Sequence, residues 1–332
     1  MTRIVVDGMG GDFAPLEVLE GVKAALSPGR ELLVLGPREK LQPFYQQLGL
    51  SPERVPIIDA PQVIEMEEQA TEAVRKKPDS SICRGIKLVS QKKVDAFISA
   101  GNSGAVMTAA WLGLPRIADI ERPAITALIP NPSSYTVLLD VGANVDCKPK
   151  HLLHFGVMGA EYARIILNLD RPRVGVLNIG EEEGKGNELA KLAYQFFSQK
   201  KEVLNFHFEG NAEGHNIVDG TMDVVVCDGF TGNALLKFGE GLLGLVNQFL
   251  KEEIKVDDSL GKLKEIWKRF DSSEYGGAPL LGVEGVCLIC HGKSRARDIK
   301  SAIIRAEDLV RQGISEKIRD GISRLQLREK KR

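Results

Sequence analysis

The feature that most constrains this chain is a series of short, continuous apolar runs. IVVD (4–7), LLVLG (32–36), VPII (55–58), DAFIS (95–99) and AITALI (124–129) come first. YTVLLDVG (135–142), RVGVLNIG (173–180), VLNFHF (203–208), DVVVCDG (223–229) and VEGVCLICHG (283–292) follow. Most do not alternate apolar with polar residues, which suits strands buried on both faces under a cover of helices. Between them, segments 13–26, 149–168, 187–199, 231–253, 259–270 and 295–326 carry helical apolar spacing. Asp12 is placed to cap the first, and Pro149 falls in the first turn of the second. Strands alternating with helices predict an α/β fold with a largely parallel sheet. No internal repeat, low-complexity run or clear linker interrupts the chain.

In open sheets of this kind ligands bind at loops that follow the carboxyl ends of strands. Here those loops are DGMGGD (7–12), SAGNSGA (99–105), DVGAN (140–144), NIGEEEGKGNE (178–188), EGNAEG (209–214), DGFTGN (228–233) and HGKS (291–294). Each combines glycine with small polar or charged residues, and several run straight into a helix. Glycine lets backbone N–H groups approach a ligand, and a helix N-terminus adds unsatisfied donors and a positive dipole end. Together these make an anion site, most naturally for phosphate. One such loop is equally an ordinary turn. Seven at one edge of a sheet predict a shared polar cleft.

Several other chemistries are excluded by their own requirements. GMGGDF (8–13) lacks the third glycine of a dinucleotide fingerprint. GEEEGKGN (180–187) has only three residues between Gly180 and Gly184, and Gly186 stands where a P-loop needs Ser or Thr for magnesium. Neither NAD nor ATP is expected, and no G-x-S-x-G nucleophile elbow is present. Cys287, Cys290 and His291 spell C-x-x-C-H, the spacing of a c-type haem. A structural zinc site needs a second Cys/His pair, and His151 and His154, three apart, have no cysteine pair with them, so a metal site is not expected and the two cysteines read as core strand residues. Cys147, with only Lys148 nearby to lower its pKa, also reads as structural.

The chain has 44 basic and 45 acidic residues, so no global field draws it to nucleic acid or membrane. The N-terminal MTRIVVDGMGGD lacks the long apolar stretch of a secretory signal, and no run approaches a membrane span. The expected location is therefore cytoplasmic.

Taken in order, DGMGGDFAP, SAGNSGA, LLDVGAN, LNIGEEEGKGNELAK, EGN, DGFTGNALLK, EYGGAPLLG and HGKS resemble the PlsX-type phosphate acyltransferases, from about residue 4 to about residue 312. The resemblance implies a three-layer α/β/α sandwich like that of the isocitrate/isopropylmalate dehydrogenase group. It implies a single α/β catalytic domain over 1–332, with a helical projection around 246–270. The implied reaction moves a long-chain fatty acyl group from acyl-acyl carrier protein to inorganic phosphate. The product, acyl phosphate, feeds bacterial phospholipid synthesis.

No cofactor and no covalent enzyme intermediate are implied, because phosphate is itself the nucleophile. By resemblance Lys185 and Asn233 are the catalytic candidates, stabilising charge on phosphate or on the oxyanion. A lysine at a helix start opposes the dipole, which disfavours a purely structural reading of Lys185. Gly10, Gly11, Gly101, Asn102, Ser103, Thr231 and Gly232 would cradle phosphate or substrate. Asp7, Asp12, Asp140 and Asn144 would shape the cleft or orient donors. Asp228 is either a binding residue or a helix cap, and His291 would face the cleft.

The implied partners are acyl carrier protein, inorganic phosphate and a second copy in a homodimer. Acyl carrier protein is acidic, so a basic patch should receive it. Lys293, Arg295, Arg297 and Lys300 form one candidate, Arg84 and Lys87 another, and a solvated helix face gives the same pattern. Transient docking on the inner face of the cell membrane is implied for 246–270. There Ile254, Val256, Leu260, Leu263, Ile266 and Trp267 alternate with charges, as they would on a helix facing its own core or a dimer mate. The nearest rival is a phosphotransacetylase acting on a short acyl-CoA. A fold-related NAD-dependent dehydrogenase and a membrane scaffold are more distant.

Overall fold

The computed structural model describes residues 1–117, 119–253 and 276–327. Its elements begin with β1 (Thr2–Asp7), α1 (Leu16–Ala24), β2 (Arg30–Gly36), α2 (Arg38–Leu48), β3 (Ile57–Asp59), α3 (Ala70–Lys76), α4 (Ser81–Ser90), β4 (Ala96–Ser99) and α5 (Ser103–Gly113). They continue with β5 (Ala124–Pro130), β6 (Tyr135–Leu139), α6 (Pro149–Leu167), β7 (Arg173–Leu177), α7 (Glu188–Lys200), β8 (His207–Ala212), β9 (Val224–Val226) and α8 (Gly229–Glu253). β10 (Ala278–Leu281), β11 (Val286–Ile289), α9 (Ala296–Arg311) and α10 (Ile314–Leu327) complete the described chain. By compactness the chain divides into Met1–Asp119 with Tyr275–Glu316, and Ile120–Glu274 with Lys317–Arg332.

In the first unit the strand order is β3-β2-β1-β4-β11-β10. All neighbours are parallel except β10 with β11. Ile4, Val5, Phe97, Ile98 and Leu288 are fully buried, as continuous apolar strands require. α9 packs on β1, β4 and β11 and holds α1, while α4 packs on β1, β2 and β4 and holds α5. Glycines allow two of these approaches. A Cβ on Gly21 would meet Ile299 at 2.6 Å, and one on Gly85 would meet the Phe97 ring at 2.3 Å.

In the second unit the order is β5-β6-β9-β7-β8, parallel except for the β5–β6 hairpin. α6 lies on β6, β7 and β9 beside α7, and α8 contacts β6. Because β6, β9, β7 and β8 run the same way, the loops that leave them share one edge. The same holds for β1, β4 and β11 in the first unit.

The expected α/β class and largely parallel pairing are what the structure has. Several boundaries differ. The first helix starts at Leu16, with Pro15 at its N-cap and no side-chain cap. Asp12 is not the cap, because residues 11–14 make a turn and the Asp12 N–H donates to the Gly292 carbonyl at 2.8 Å. The strand expected at 203–208 begins at His207, since Val203 is still tied to Lys200 in the turn after α7. The helix expected over 295–326 is two helices, broken at Gly313, whose φ of +64° ends α9. The helix expected at 259–270, and residues 254–270 of the projection, lie outside the described residues. Among the described residues no helix is long and apolar enough to cross a membrane.

Candidate active site

In the first unit the site residues gather around a buried carboxylate. Asp7 closes β1 at 2% exposure and accepts the Ser99 hydroxyl at 2.7 Å and the Met9 N–H at 3.1 Å. Burial pushes its pKa up, while Ser81, Ser99 and the N–H groups of Met9 and Gly10 pull it down. Ser99 in turn accepts the Gly101 N–H at 3.0 Å. Gly10 is pressed into this cluster. A Cβ there would stand 2.6 Å from the Gly101 nitrogen and 2.8 Å from the Asp7 carboxylate. Gly11, at φ +101°, lies against the Gly292 carbonyl. The loops after β1, β4 and β11 thus meet, bringing Asp7, Gly10, Gly11, Asp12 and Gly101 into one neighbourhood with the loop of His291. His291 is exposed, and its Nδ1 accepts the Lys293 N–H at 3.1 Å.

Asn102 faces inward. Its Oδ1 caps α5 by accepting the Ala105 N–H at 2.9 Å, and its Nδ2 faces the carbonyls of Glu65, Met66 and Glu68 at 2.9–3.3 Å. Ser103, the first residue of α5, is exposed.

In the second unit Asp140 plays the corresponding part. It is fully buried, and its carboxylate accepts the N–H groups of Ile125, Gly142, Ala143 and Asn144 and the Asn144 side-chain amide, at 2.6–3.3 Å. Burial raises its pKa, and these donors oppose the rise. Asn144 also donates to the Pro123 carbonyl at 2.7 Å and accepts the Gly229 N–H at 2.7 Å through its own carbonyl. That last bond docks the start of α8 on the Asp140 loop.

Asp228 caps α8 from two directions, taking the Thr231 N–H and the Thr231 hydroxyl, each at 2.8 Å. The Gly232 N–H goes to the Asp228 carbonyl at 3.0 Å. Asn233, one turn in, is exposed and lies beside Gly142, whose added Cβ would be 3.8 Å from its side chain. The structure therefore groups Asp140, Asn144, Asp228, Thr231, Gly232 and Asn233. Lys185 stands on a different loop, after β7, with its side chain exposed. Its described bonds are to Glu182 and Asn178.

Cys147 lies against this cluster. Burial and the charges of Asp140 and Asp228 push its thiol up to about 12, which suits a packing residue and not a nucleophile. Cys287 and Cys290 are 1% and 3% exposed in and after β11, inside the core as expected. Among the described residues no group of three or more His, Cys, Asp or Glu could hold a metal ion.

Sequence reasoning passed over the supporting residues. Ser99 lies inside a quoted loop, but its bonds to Asp7 and Gly101 depend on strand register. Ser81 reaches Asp7 from the start of α4, where no local pattern marks it, and Asn211, within the quoted EGNAEG stretch, lies in β8 and donates to the Glu181 and Glu182 carbonyls.

Both proposed docking patches contain arginines that are already engaged. Arg84 pairs with Asp79 at 2.9 Å and donates to the Asp59 carbonyl. Arg295 pairs with Glu17 at 3.0 Å and lies over the Phe13 ring. Lys87, Lys293, Arg297 and Lys300 are exposed.

Comparison with known proteins places these features in a family. The family described as "Fatty acid synthesis protein" matches residues 2–317. A phosphate acyltransferase of Desulforudis audaxviator is 45% identical over 329 residues, covering 96% of each chain. One from Pelotomaculum thermopropionicum is 45% identical over 337 residues, covering 98% of this chain and 96% of its own. Among solved structures, a phosphotransacetylase from Streptococcus pyogenes superposes with a TM-score of 0.64 at 19% identity, covering 93% of this chain and 94% of that one. A branched-chain phosphotransacylase from Enterococcus faecalis gives 0.59 at 14% identity, over 93% and 99%. These two likenesses establish a shared fold. The near full-length match and the identity to the curated relatives establish descent, and the chain belongs to the fatty acid synthesis protein family, that of the phosphate acyltransferases.

Proposed function

We propose that this protein is an acyltransferase that moves a long-chain fatty acyl group from acyl-acyl carrier protein to inorganic phosphate. Family membership supports the reaction class. The observation that carries the chemistry is the start of α8, docked on the Asp140 loop and capped by Asp228, with Asn233 exposed beside Gly142. A helix of 25 residues presents its positive end there.

A phosphate oxygen attacks the thioester carbonyl carbon and forms the new C–O bond. The negative charge on the carbonyl oxygen is held by fixed donors. The C–S bond then breaks, and the proton released from phosphate goes to the departing thiolate. The products are acyl phosphate and free carrier protein, which balances the reaction without a covalent enzyme intermediate. Asn233 donates to phosphate or to the oxyanion, and Lys185 neutralises charge on one of them. Asp7, Asp140 and Asn144 hold their loops in place, while Gly10, Gly11 and Gly101 within the first unit, and Gly232 within the second, let neighbouring loops approach closely. Asp12, Asn102, Ser103, Asp228, Thr231 and His291 complete the binding set.

Residues 1–332 are proposed to work as one catalytic domain with the three-layer α/β/α arrangement of the isocitrate/isopropylmalate dehydrogenase group. The packing of both α4 and α9 on β1 and β4 is in keeping with that arrangement. Exposed Lys293, Arg297 and Lys300 are proposed to receive the acidic carrier protein. Charge reversal there that left its KM unchanged would exclude them.

The partner copy of a homodimer is supported by α8, which exposes Phe238, Leu242, Leu245 and Phe249 along one face. Sedimentation as a monomer would remove it. Transient contact with the inner face of the cell membrane is proposed for 246–270, and failure to bind anionic vesicles would sink it.

The deciding assay mixes purified protein with palmitoyl-acyl carrier protein and phosphate and traps acyl phosphate as its hydroxamate. Phosphate-dependent product is expected. Product from acetyl-CoA alone would move the protein to the phosphotransacetylase reading, and product from neither would overturn both.

A further inference from the structure

Lys185 sits in the middle of a ten-residue excursion, 178–187, between β7 and α7. Such a loop of glycines and glutamates has little in its own sequence to hold a lysine still. Its backbone is nevertheless tied on both sides of that residue. The Lys185 N–H donates to the Glu182 carbonyl at 3.0 Å. That carbonyl also accepts Asn211 Nδ2 at 2.8 Å, and the same amide reaches the Glu181 carbonyl at 3.4 Å. The Lys185 carbonyl accepts Asn178 Nδ2 at 3.1 Å. Asn178 is itself fixed, with its Oδ1 taking the Ile179 N–H at 2.8 Å and its backbone N–H on the Ala212 carbonyl at 2.7 Å.

Gly186 completes the arrangement. Its φ is +87°, and a Cβ there would stand 1.9 Å from Asn178 Oδ1. The chain can turn over Asn178 immediately after Lys185 only if residue 186 has no side chain. On the far side Asn187 caps α7 by accepting the Ala190 N–H at 2.9 Å. Asn211 is the most telling of these residues. It lies in β8 at 5% exposure, and its Oδ1 is buried without a hydrogen-bond partner. An orphaned buried acceptor costs stability, so packing alone would be better served by an apolar residue. What the amide supplies here is its two donated bonds to the loop.

We propose that Asn178 and Asn211 are positioning residues for the reaction, which act by fixing the backbone on either side of Lys185. The inference rests on the role given to Lys185 above. Neither asparagine touches substrate in this scheme. Their contribution is to hold the ammonium where charge develops, and a misplacement of about 1 Å is enough to lower a rate on the order of 100-fold.

The test is a double-mutant cycle of Lys185→Ala with Asn211→Ala, repeated with Asn178→Ala, read as kcat and as KM for phosphate. Limited trypsin digestion provides a second readout, followed by mass spectrometry at the Lys185–Gly186 bond. Expected is a loss of kcat in each asparagine variant, no further loss when Lys185 is already Ala, and severalfold faster cleavage at that bond with the melting temperature nearly kept.

Equal losses in both Lys185 backgrounds would overturn the proposal, because the asparagines would then act independently of the lysine. Full activity in both asparagine variants would overturn it as well. A Lys185→Ala protein of wild-type activity would remove the lysine's role and the proposal with it. Absence of any acyl phosphate from the wild type would instead remove the reaction and with it the catalytic role given to the asparagines, and the cleavage rate would then report only their hold on the loop. If Asn211→Ala fails to fold, Asn178→Ala decides, since Asn178 is only half-buried.

Discussion

Replacing Gly232 by Ala tests the junction on which the proposed chemistry depends. A Cβ on Gly232 would lie 2.0 Å from the Asp140 carbonyl oxygen and 3.0 Å from both its carbon and Cys227 Sγ. Ordinary contact needs about 3.5 Å, so the start of α8 and the Asp140 loop must part by roughly 1–1.5 Å. Neither side yields freely. The Asp140 N–H is bonded to the Cys227 carbonyl, and its carboxylate is held by five donors. Overpacking of this kind costs about 1–3 kcal/mol. The conformational gain of Ala over Gly in a helix, about 0.5–1 kcal/mol, offsets part of it. A shift of that size at Asn233 lowers the rate on the order of 100-fold. Urea unfolding and the hydroxamate assay measure the two effects separately. Gly244→Ala, on the same helix with no heavy atom within 4 Å of the added Cβ, is the control and should raise the midpoint. A Gly232→Ala protein with unchanged midpoint and rate would refute the close docking of α8 on Asp140.

Asp228→Ala removes a two-point cap and should lower stability by about 1 kcal/mol, read from the denaturant midpoint; no change would deny the cap its role. Glu121 is held at a pKa of about 2 by Lys150 first and then His151. A carboxylate with a depressed folded pKa loses its stabilising contribution as pH falls from its ordinary value of 4.5 to about 2. Glu121→Gln should therefore lower the melting temperature at neutral pH, leave it little changed near pH 2 and so flatten that limb; an unaltered limb would count against the contact. Cys147, raised to about 12, should resist iodoacetamide at pH 8 with activity retained, whereas stoichiometric labelling with inactivation would make it a functional thiol.

Much of the fold was legible because buried parallel strands announce themselves as unbroken Val/Ile/Leu runs. The helices that escaped notice explain themselves. α2, REKLQPFYQQL, is mostly polar and contains Pro43 inside it. α5, SGAVMTAAWLG, is apolar nearly all round, so it has no face for periodicity to find. VLNFHF reads as a strand because Leu204 and Phe206 are core residues, yet they are buried from the irregular stretch that precedes β8. For the site, glycine-rich loops gave the positions, but not which way their side chains face. Asn102, in one of those loops, turns its side-chain amide onto a segment 34–37 residues earlier in the chain. Bonds across such separations leave no local signature. The Asp140–Asn144 pair, four residues apart, shows how short-range organisation stays close to readable.

The two buried aspartates at strand ends have one more consequence. Asp140 directs both carboxylate oxygens at N–H groups, and Asp7 directs its own at a hydroxyl and an N–H. Carboxylates so held anchor their loops, and the proposed reaction asks neither to act as general base for the incoming nucleophile. In the proposed reaction phosphate arrives already ionised, with an oxygen free to attack. The ionisation of free phosphate in solution then contributes to the dependence of rate on pH near neutrality. Two different phosphate acyltransferases built on such anchors would share that part of their pH profile, whatever their other residues.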